Sequence, residues 1–241
     1  MNFLKSILLI TLVIPFTSCV HYYYAPNGHN VPLLKEKGET KIVAALSGGD
    51  EFTGFEAQFS SAVAKNIGIM ANFMTGSGEE NYESGRNESG KGTFFEIGTG
   101  YYKPLGQRFV FETYGGIGLG SINNEYSQGD SKVKFTRLFI QPNIGYKVRG
   151  FEVALSSRFS GLNYHSVISN NVEPYDQDDL EYIKNNKFSF LFEPALTIRG
   201  GWEEVKIQLQ LVFSENLNNR NLMQETGNFN IGLYFDLPSN N

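Results

Sequence analysis

A single cysteine, Cys19, excludes any internal disulfide. Cationic side chains are too few for a nucleic-acid surface. The 20 Lys and Arg against 25 Asp and Glu leave a net charge of -5, and no basic stripe is present to neutralise phosphates. Apolar runs of helical length are missing after the first 16 residues, so no permanent membrane helix is expected. The three histidines, His21, His29 and His165, are scattered, and no cofactor or resident metal is expected. Glycine and aromatic residues abound instead, with 26 Gly, 20 Phe and 13 Tyr, a composition that suits strands and turns better than helices.

The dominant pattern is a period-two alternation repeated in about ten segments. Phe55, Ala57, Phe59, Ser61 and Val63 interleave with Glu56, Gln58, Ser60 and Ala62. Leu138, Ile140, Pro142, Ile144 and Tyr146 interleave with Arg137, Phe139, Gln141, Asn143 and Gly145, and Val205, Ile207, Leu209, Leu211 and Phe213 with Lys206, Gln208 and Gln210. Successive strand side chains point to opposite sides, so each segment has an apolar and a polar face. Strands are expected at 39–48, 52–64, 67–76, 93–104, 108–122, 133–148, 151–163, 187–199, 203–214 and 227–237. Tight turns such as Lys65-Asn66 and Arg149-Gly150 alternate with the long polar connections 77–92, 123–132, 164–186 and 215–226. The expectation is an all-β fold: a transmembrane up-and-down antiparallel β-barrel of about ten strands, in the cell outer membrane, over residues 39–241. An even strand count puts both termini in the periplasm.

A soluble barrel would turn the apolar face inward. Aromatics near strand ends, including Tyr101, Phe109, Tyr146, Phe151, Phe188 and Phe213, suit interfacial girdles, and the small residues of the polar face suit a crowded lumen. The apolar face is therefore expected to meet lipid. The lumen then holds Glu56, Glu96, Glu112, Glu152 and Glu193 against Arg137, Lys147, Arg158, Arg199 and Lys206. Buried charges need partners, so these are expected to pair and close the lumen, helped by Phe94, Tyr102, Tyr114 and Phe139.

The amino terminus has a basic tip at Lys5, an apolar run from Ile7 to Phe16, and Thr17-Ser18-Cys19. This is a secretory signal over residues 1–18. Phe16-Thr17-Ser18-Cys19 also resembles the lipobox of bacterial lipoproteins, which implies a lipid anchor on Cys19. Residues 19–38, rich in Pro, Gly and Asn, read as a periplasmic tether whose tyrosines lie at the membrane interface. The block from Tyr24-Ala25-Pro26-Asn27-Gly28 to Gly38-Glu39 resembles a segment of small outer-membrane barrel proteins of Bacteroidota, found after the signal and before the first strand. The resemblance implies location and fold and no activity.

Chemistry-bearing clusters are weak. His165 precedes Asp176, Asp178, Asp179 and Glu181 in the longest loop, which are residue types that omptin proteases use at the outer rim, but without a local omptin motif. His165 and Ser169 lack the compact spacing of outer-membrane phospholipases. The acidic run with Glu173 lacks the glycine of a calcium loop, and Leu180 and Ile183 within it suggest a short surface helix. The expected role is non-enzymatic: structural, or interactive at the cell surface through loops 77–92 and 164–186. The alternative is a narrow, porin-like channel for small solutes; an outer-rim hydrolase, omptin-like or lipid-modifying, comes third. Expected partners are outer-membrane lipids, the barrel-assembly machinery during insertion, and a surface ligand that the residues leave open.

Overall fold

The computed structural model describes residues 21–81 and 87–239. The signal, Cys19 and part of the 77–92 loop lie outside them. The strands are β1 (Thr40–Gly48), β2 (Thr53–Ala64), β3 (Ile67–Asn81), β4 (Asn87–Leu105), β5 (Phe109–Glu125), β6 (Asp130–Val148), β7 (Phe151–Asn170), β8 (Phe188–Gly201), β9 (Val205–Phe213), the short β10 (Glu215–Asn216) and β11 (Gly227–Leu237). Each of β1 to β8 pairs antiparallel with the next, β9 pairs with β11, and β11 returns to β1, with Thr40 opposite Leu237. β10 is an extra piece laid against β8. The ten remaining strands close on themselves, so every strand edge is paired. This is the outer-membrane β-barrel fold.

The alternation decides which side faces out. In β9 the residues Lys206, Gln208, Gln210 and Val212 are buried, while Ile207, Leu209, Leu211 and Phe213 are exposed. The same holds round the wall: Leu138, Leu155, Phe55 and Leu119 stand outside, whereas Arg137, Arg158 and Glu193 are fully buried. An apolar exterior over a charged interior fits lipid as the outer solvent. Tyr101, Phe109, Phe151, Phe188 and Phe213 face outward, and Phe94, Tyr102, Tyr114 and Phe139 face inward.

Several strands outrun their expected ends. β3 and β4 stay paired to Asn81 and Asn87, and β6 and β7 to Asp130 and Asn170. The β3–β4 extension is polar on both faces, so hydrophobic alternation is silent there, while the β7 extension turns Tyr164 inward and Ile168 outward within the stretch expected as a loop. Cross-strand backbone bonds need no apolar pattern, and the hairpins continue as ribbons past the apolar belt. Within the 164–186 connection, α1 (Pro174–Asn185) starts with Pro at its first turn and buries Leu180 and Ile183. It lies over the barrel end that carries the wide connections, called here the loop end. The opposite, turn end carries the tight connections 65–66, 106–108, 149–150 and 202–204.

Candidate functional site: the strapped lumen and its mouth

The amino-terminal segment is not a tether lying outside the barrel. Residues 21–38 form a strap that threads the lumen from the loop end to the turn end. At the loop end the His21 ring lies 4.4 Å from that of Tyr126. It is 3.6 Å from Glu88 and 3.7 Å from Asp176 of α1. At the turn end the Lys35 ammonium donates to the carbonyl of Gln107, and Gly38, at a φ of 93°, turns the chain into β1. Between them Tyr23, Tyr24, His29, Val31, Leu33 and Leu34 are buried. The tyrosines therefore lie inside the lumen and not at the lipid interface, and His29 is a core residue. His21 and Leu237 stand at opposite ends of the barrel, which corrects the expectation of two termini on one side for the described chain.

The strap has no regular structure, so its backbone must find partners among wall side chains. Gly28 N donates to Glu56 Oε2 at 2.8 Å, and His29 N to Gln210 Oε1 at 2.7 Å. Leu33 N and Leu34 N donate to the two oxygens of Glu112, at 3.1 and 2.8 Å. The carbonyls of Tyr23, Pro26, Asn27, Asn30 and Pro32 accept from Tyr164, Asn228, Arg158, Gln141 and Tyr234. Pro26 and Pro32 carry no N–H to satisfy. Wall and strap also fit closely in shape. A Cβ on Gly28 would sit 2.5 Å from Glu56 Oε2, and one on Gly145 would run into Leu33 Cδ2.

The ten expected lumen charges all face inward and divide into two clusters and two single acids. In mid-barrel Arg158 Nε donates to Glu193 at 2.8 Å, Arg137 Nη2 donates to Glu96 at 2.5 Å, and longer contacts of 3.7 Å cross-link the two pairs. The strap completes this cluster: Arg137 also donates to the Tyr24 hydroxyl and to Asn27 Oδ1. At the turn end Glu152 meets Arg199 at 2.9 Å, Lys206 at 3.3 Å and Lys147 at 3.8 Å, and Arg199 lies over the Tyr234 ring. Lys41, Glu39 and Asp236 belong to the same cluster. They sit at strand ends, where the alternation does not distinguish lumen from rim.

Glu56 and Glu112 depart from the expected pairing. Among the described residues neither forms a salt bridge. Their oxygens take the strap amides instead, and Glu56 also accepts from Asn228 at 2.8 Å. Hydrogen-bond donors of the strap thus stand where a cation was expected.

His165 is exposed on the outer side and lies 3.5 Å from the Thr136 hydroxyl, while the Ser169 hydroxyl donates to Gln177 at 3.3 Å. The histidine that meets the acidic helix is His21. Among the described residues no three His, Cys, Asp or Glu side chains converge to hold a metal. In α1 burial pushes the Asp176 carboxyl up, with His21 opposing, and burial also pushes the Asp179 carboxyl up.

Above the strap the loop end opens into a mouth cavity of about 510 Å³. The strap residues Tyr22, Tyr24 and Ala25 line it together with Phe52, Phe94 and Glu225. Glu225 is buried and accepts from the backbone N–H groups of Asp50 and Glu51, which pins the β1–β2 connection against the mouth.

No family model matches the chain, and no curated protein matches it. Solved structures similar to it include the translocator domain of the autotransporter NalP from Neisseria meningitidis, with 10% identity, a TM-score of 0.45, and 82% of this chain and 86% of that one covered. An outer-membrane channel from Pseudomonas putida F1 has 10% identity and a TM-score of 0.43 over 84% of this chain and 96% of that one. The outer-membrane protease OmpT from Escherichia coli has 10% identity and a TM-score of 0.43 over 83% and 96%. The likeness lies in the barrel.

Proposed function

We propose that this chain is a sealed, non-enzymatic outer-membrane barrel that presents its loop end as an interaction surface. One observation carries the reading: the strap is buried from Tyr23 to Leu34, and wall side chains satisfy its backbone along the lumen. A channel needs a wet path, and here polar wall groups are spent on the chain's own backbone. Ten strands also leave less room than the roughly 16–18 of open porins. Planar-bilayer recording tests the reading. The wild-type barrel is expected to be electrically silent, and Gly28→Val, whose side chain would meet Glu56 and Asn230, is expected to loosen the strap and conduct. A steady open conductance in wild type would overturn the seal and promote the channel.

The reading includes a lipid on Cys19, with outer-membrane lipids and the assembly machinery as partners. Its support is the lipobox-like Phe16–Cys19 and the position of His21, two residues on, at the loop end. With the wide connections at the cell surface, as in bacterial barrels, His21 stands at the outer end of the lumen. An epitope inserted between Val20 and His21 should then be detected on whole cells. Detection only after permeabilisation would reverse the sidedness.

A further inference from the structure

We infer that the outer wall carries, at its loop end, a binding site for the phosphate headgroup of a membrane lipid, built on Lys91, Lys132 and Lys134. The site deepens the lipid partner proposed above. It rests on the barrel standing in a membrane and not on the seal. All three side chains are exposed on the lipid-facing side of their strands. Lys132 and Lys134 alternate in β6 with the buried Ser131, Val133 and Phe135. Lys91 stands in β4 between Gly90 and Gly92, and it is these two glycines that turn toward Asn124 and Ile122 of the inner face.

Strand register brings the lysines together. Lys91 and Lys132 flank Asn123 of β5, one from each side, so their Cα atoms lie about 10 Å apart. Lys134 follows Lys132 on the same face at about 7 Å. It stands opposite Ser121, which has Thr93 on its other side. The Ser121 hydroxyl is shielded from solvent and makes no hydrogen bond among the described residues. A donor in that state is costly, and an anionic oxygen held by the lysines would take its proton.

Height on the wall makes the phosphate a lipid's. Twelve residues of β6 separate Lys134 from Tyr146, whose ring meets that of Phe109 in the turn-end girdle. At about 3.4 Å per residue and a tilt of about 40°, they span about 30 Å along the membrane normal. The apolar band of such a barrel is about 25 Å tall, so the lysines stand just past its far edge, at headgroup level. Below them Phe95, Leu119 and Leu138 face outward and would carry the acyl chains. A free phosphate makes no use of that wall.

The chain supplies no counter-ion. Its net charge is -5, yet among the described residues none of the three lysines forms a salt bridge. Glu125 and Asp130 stand one row farther out, opposite each other, and Asp130 accepts from the Asn170 amide. The lysines also occupy one sector. On β8, β9 and β11 the outward residues at the loop end are Phe188, Phe213 and Phe229.

The test is native mass spectrometry of the full barrel released from detergent micelles. The probes are dioleoyl phosphatidic acid and dioleoylglycerol, its counterpart without the phosphate. Expected is one tightly held phosphatidic acid per barrel, with dioleoylglycerol at least tenfold weaker. A lysine close to anionic headgroups is worth about fivefold in affinity. K132Q/K134Q should therefore bind phosphatidic acid about twentyfold more weakly, and Lys91→Gln about fivefold. K65Q/K103Q removes the same charge from exposed turn-end positions and should leave the tight site unchanged. Equal retention of the two lipids, or equal loss in K132Q/K134Q and K65Q/K103Q, would overturn the site. Competition by glycerol 3-phosphate at the same concentration would make it a soluble-anion site and overturn the lipid assignment. The epitope between Val20 and His21 reads sidedness separately and assigns the site to a leaflet. A barrel that conducts but keeps this selectivity loses the seal and keeps the site, whereas a silent barrel without selectivity loses the site alone.

Discussion

Removing the guanidinium of Arg158 puts the mid-barrel cluster under direct test. Its Nε holds Glu193 at 2.8 Å, its Nη2 holds the strap carbonyl of Asn27 at 2.8 Å, and its Nη1 lies 3.7 Å from Glu96. In Arg158→Ala the two carboxylates keep Arg137 alone, so one buried negative charge is left uncompensated. Glu193 retains the Tyr24 hydroxyl at 2.6 Å, which softens the loss without replacing the charge. Breaking a fully buried pair on one side costs about 3–5 kcal/mol. With a urea dependence of about 3 kcal/mol per molar for a chain of this size, the unfolding midpoint should fall by about 1–2 M. The comparison is Arg149→Ala, whose pair with Glu203 spans 3.1 Å but is 86% and 61% exposed. That pair is worth at most about 1 kcal/mol, or about 0.3 M. Both midpoints can be read from the loss of the β-sheet circular dichroism, which reports the whole wall and not either pair. A midpoint for Arg158→Ala no lower than that of Arg149→Ala would mean that the lumen is wet enough to solvate Glu193, and the sealed-core argument would fall.

Other expectations follow from the same contacts. Glu112→Ala orphans the amides of Leu33 and Leu34 and should cost about 2–3 kcal/mol, with amide exchange rising at those residues before it rises in β5; unchanged protection there would contradict the strap contacts. Gly145→Val drives a side chain into Leu33 and should loosen the turn-end half of the strap, seen as new protease cleavage between Pro32 and Gly38 in folded barrels; an intact strap would contradict the close fit. Asp176 and Asp179 sit above their ordinary carboxylate range, so the folded barrel holds more protons there than the unfolded chain does. Docking of α1 should then tighten as pH falls below the ordinary range and loosen as pH rises through the raised values, and D176N/D179N should flatten that profile in amide exchange. Cys19→Ala should abolish an acyl mass increment at the mature amino terminus, and an intact mass showing an unmodified start at another residue would remove the lipid from the reading.

The barrel was legible in the chain because its determinants are local. Alternation in segments such as Val205–Phe213 has period two whatever the rest of the chain does, and turn residues such as Asn66 and Gly150, both with positive φ, mark where strands reverse. The inward set Arg137, Arg158 and Glu193 follows from the same parity. Parity says nothing about partners along the barrel axis. Gly28 meets Glu56 across 28 residues of sequence, and Asn228 meets Pro26 across 202. Residues 21–38 have no period because they belong to neither strand nor helix, and Pro, Gly and Asn read equally as a free linker or as a chain held by side chains. Only closure of the wall decides between these. Closure creates a narrow space lined by Glu56, Glu112, Gln141 and Gln210, whose unmet polar groups fit an irregular backbone better than each other. The sequence by itself determined a closed, two-faced wall. The tertiary structure decided that the chain's own amino-terminal segment fills it, because burying that backbone was the way to satisfy the polar groups that parity had already turned inward.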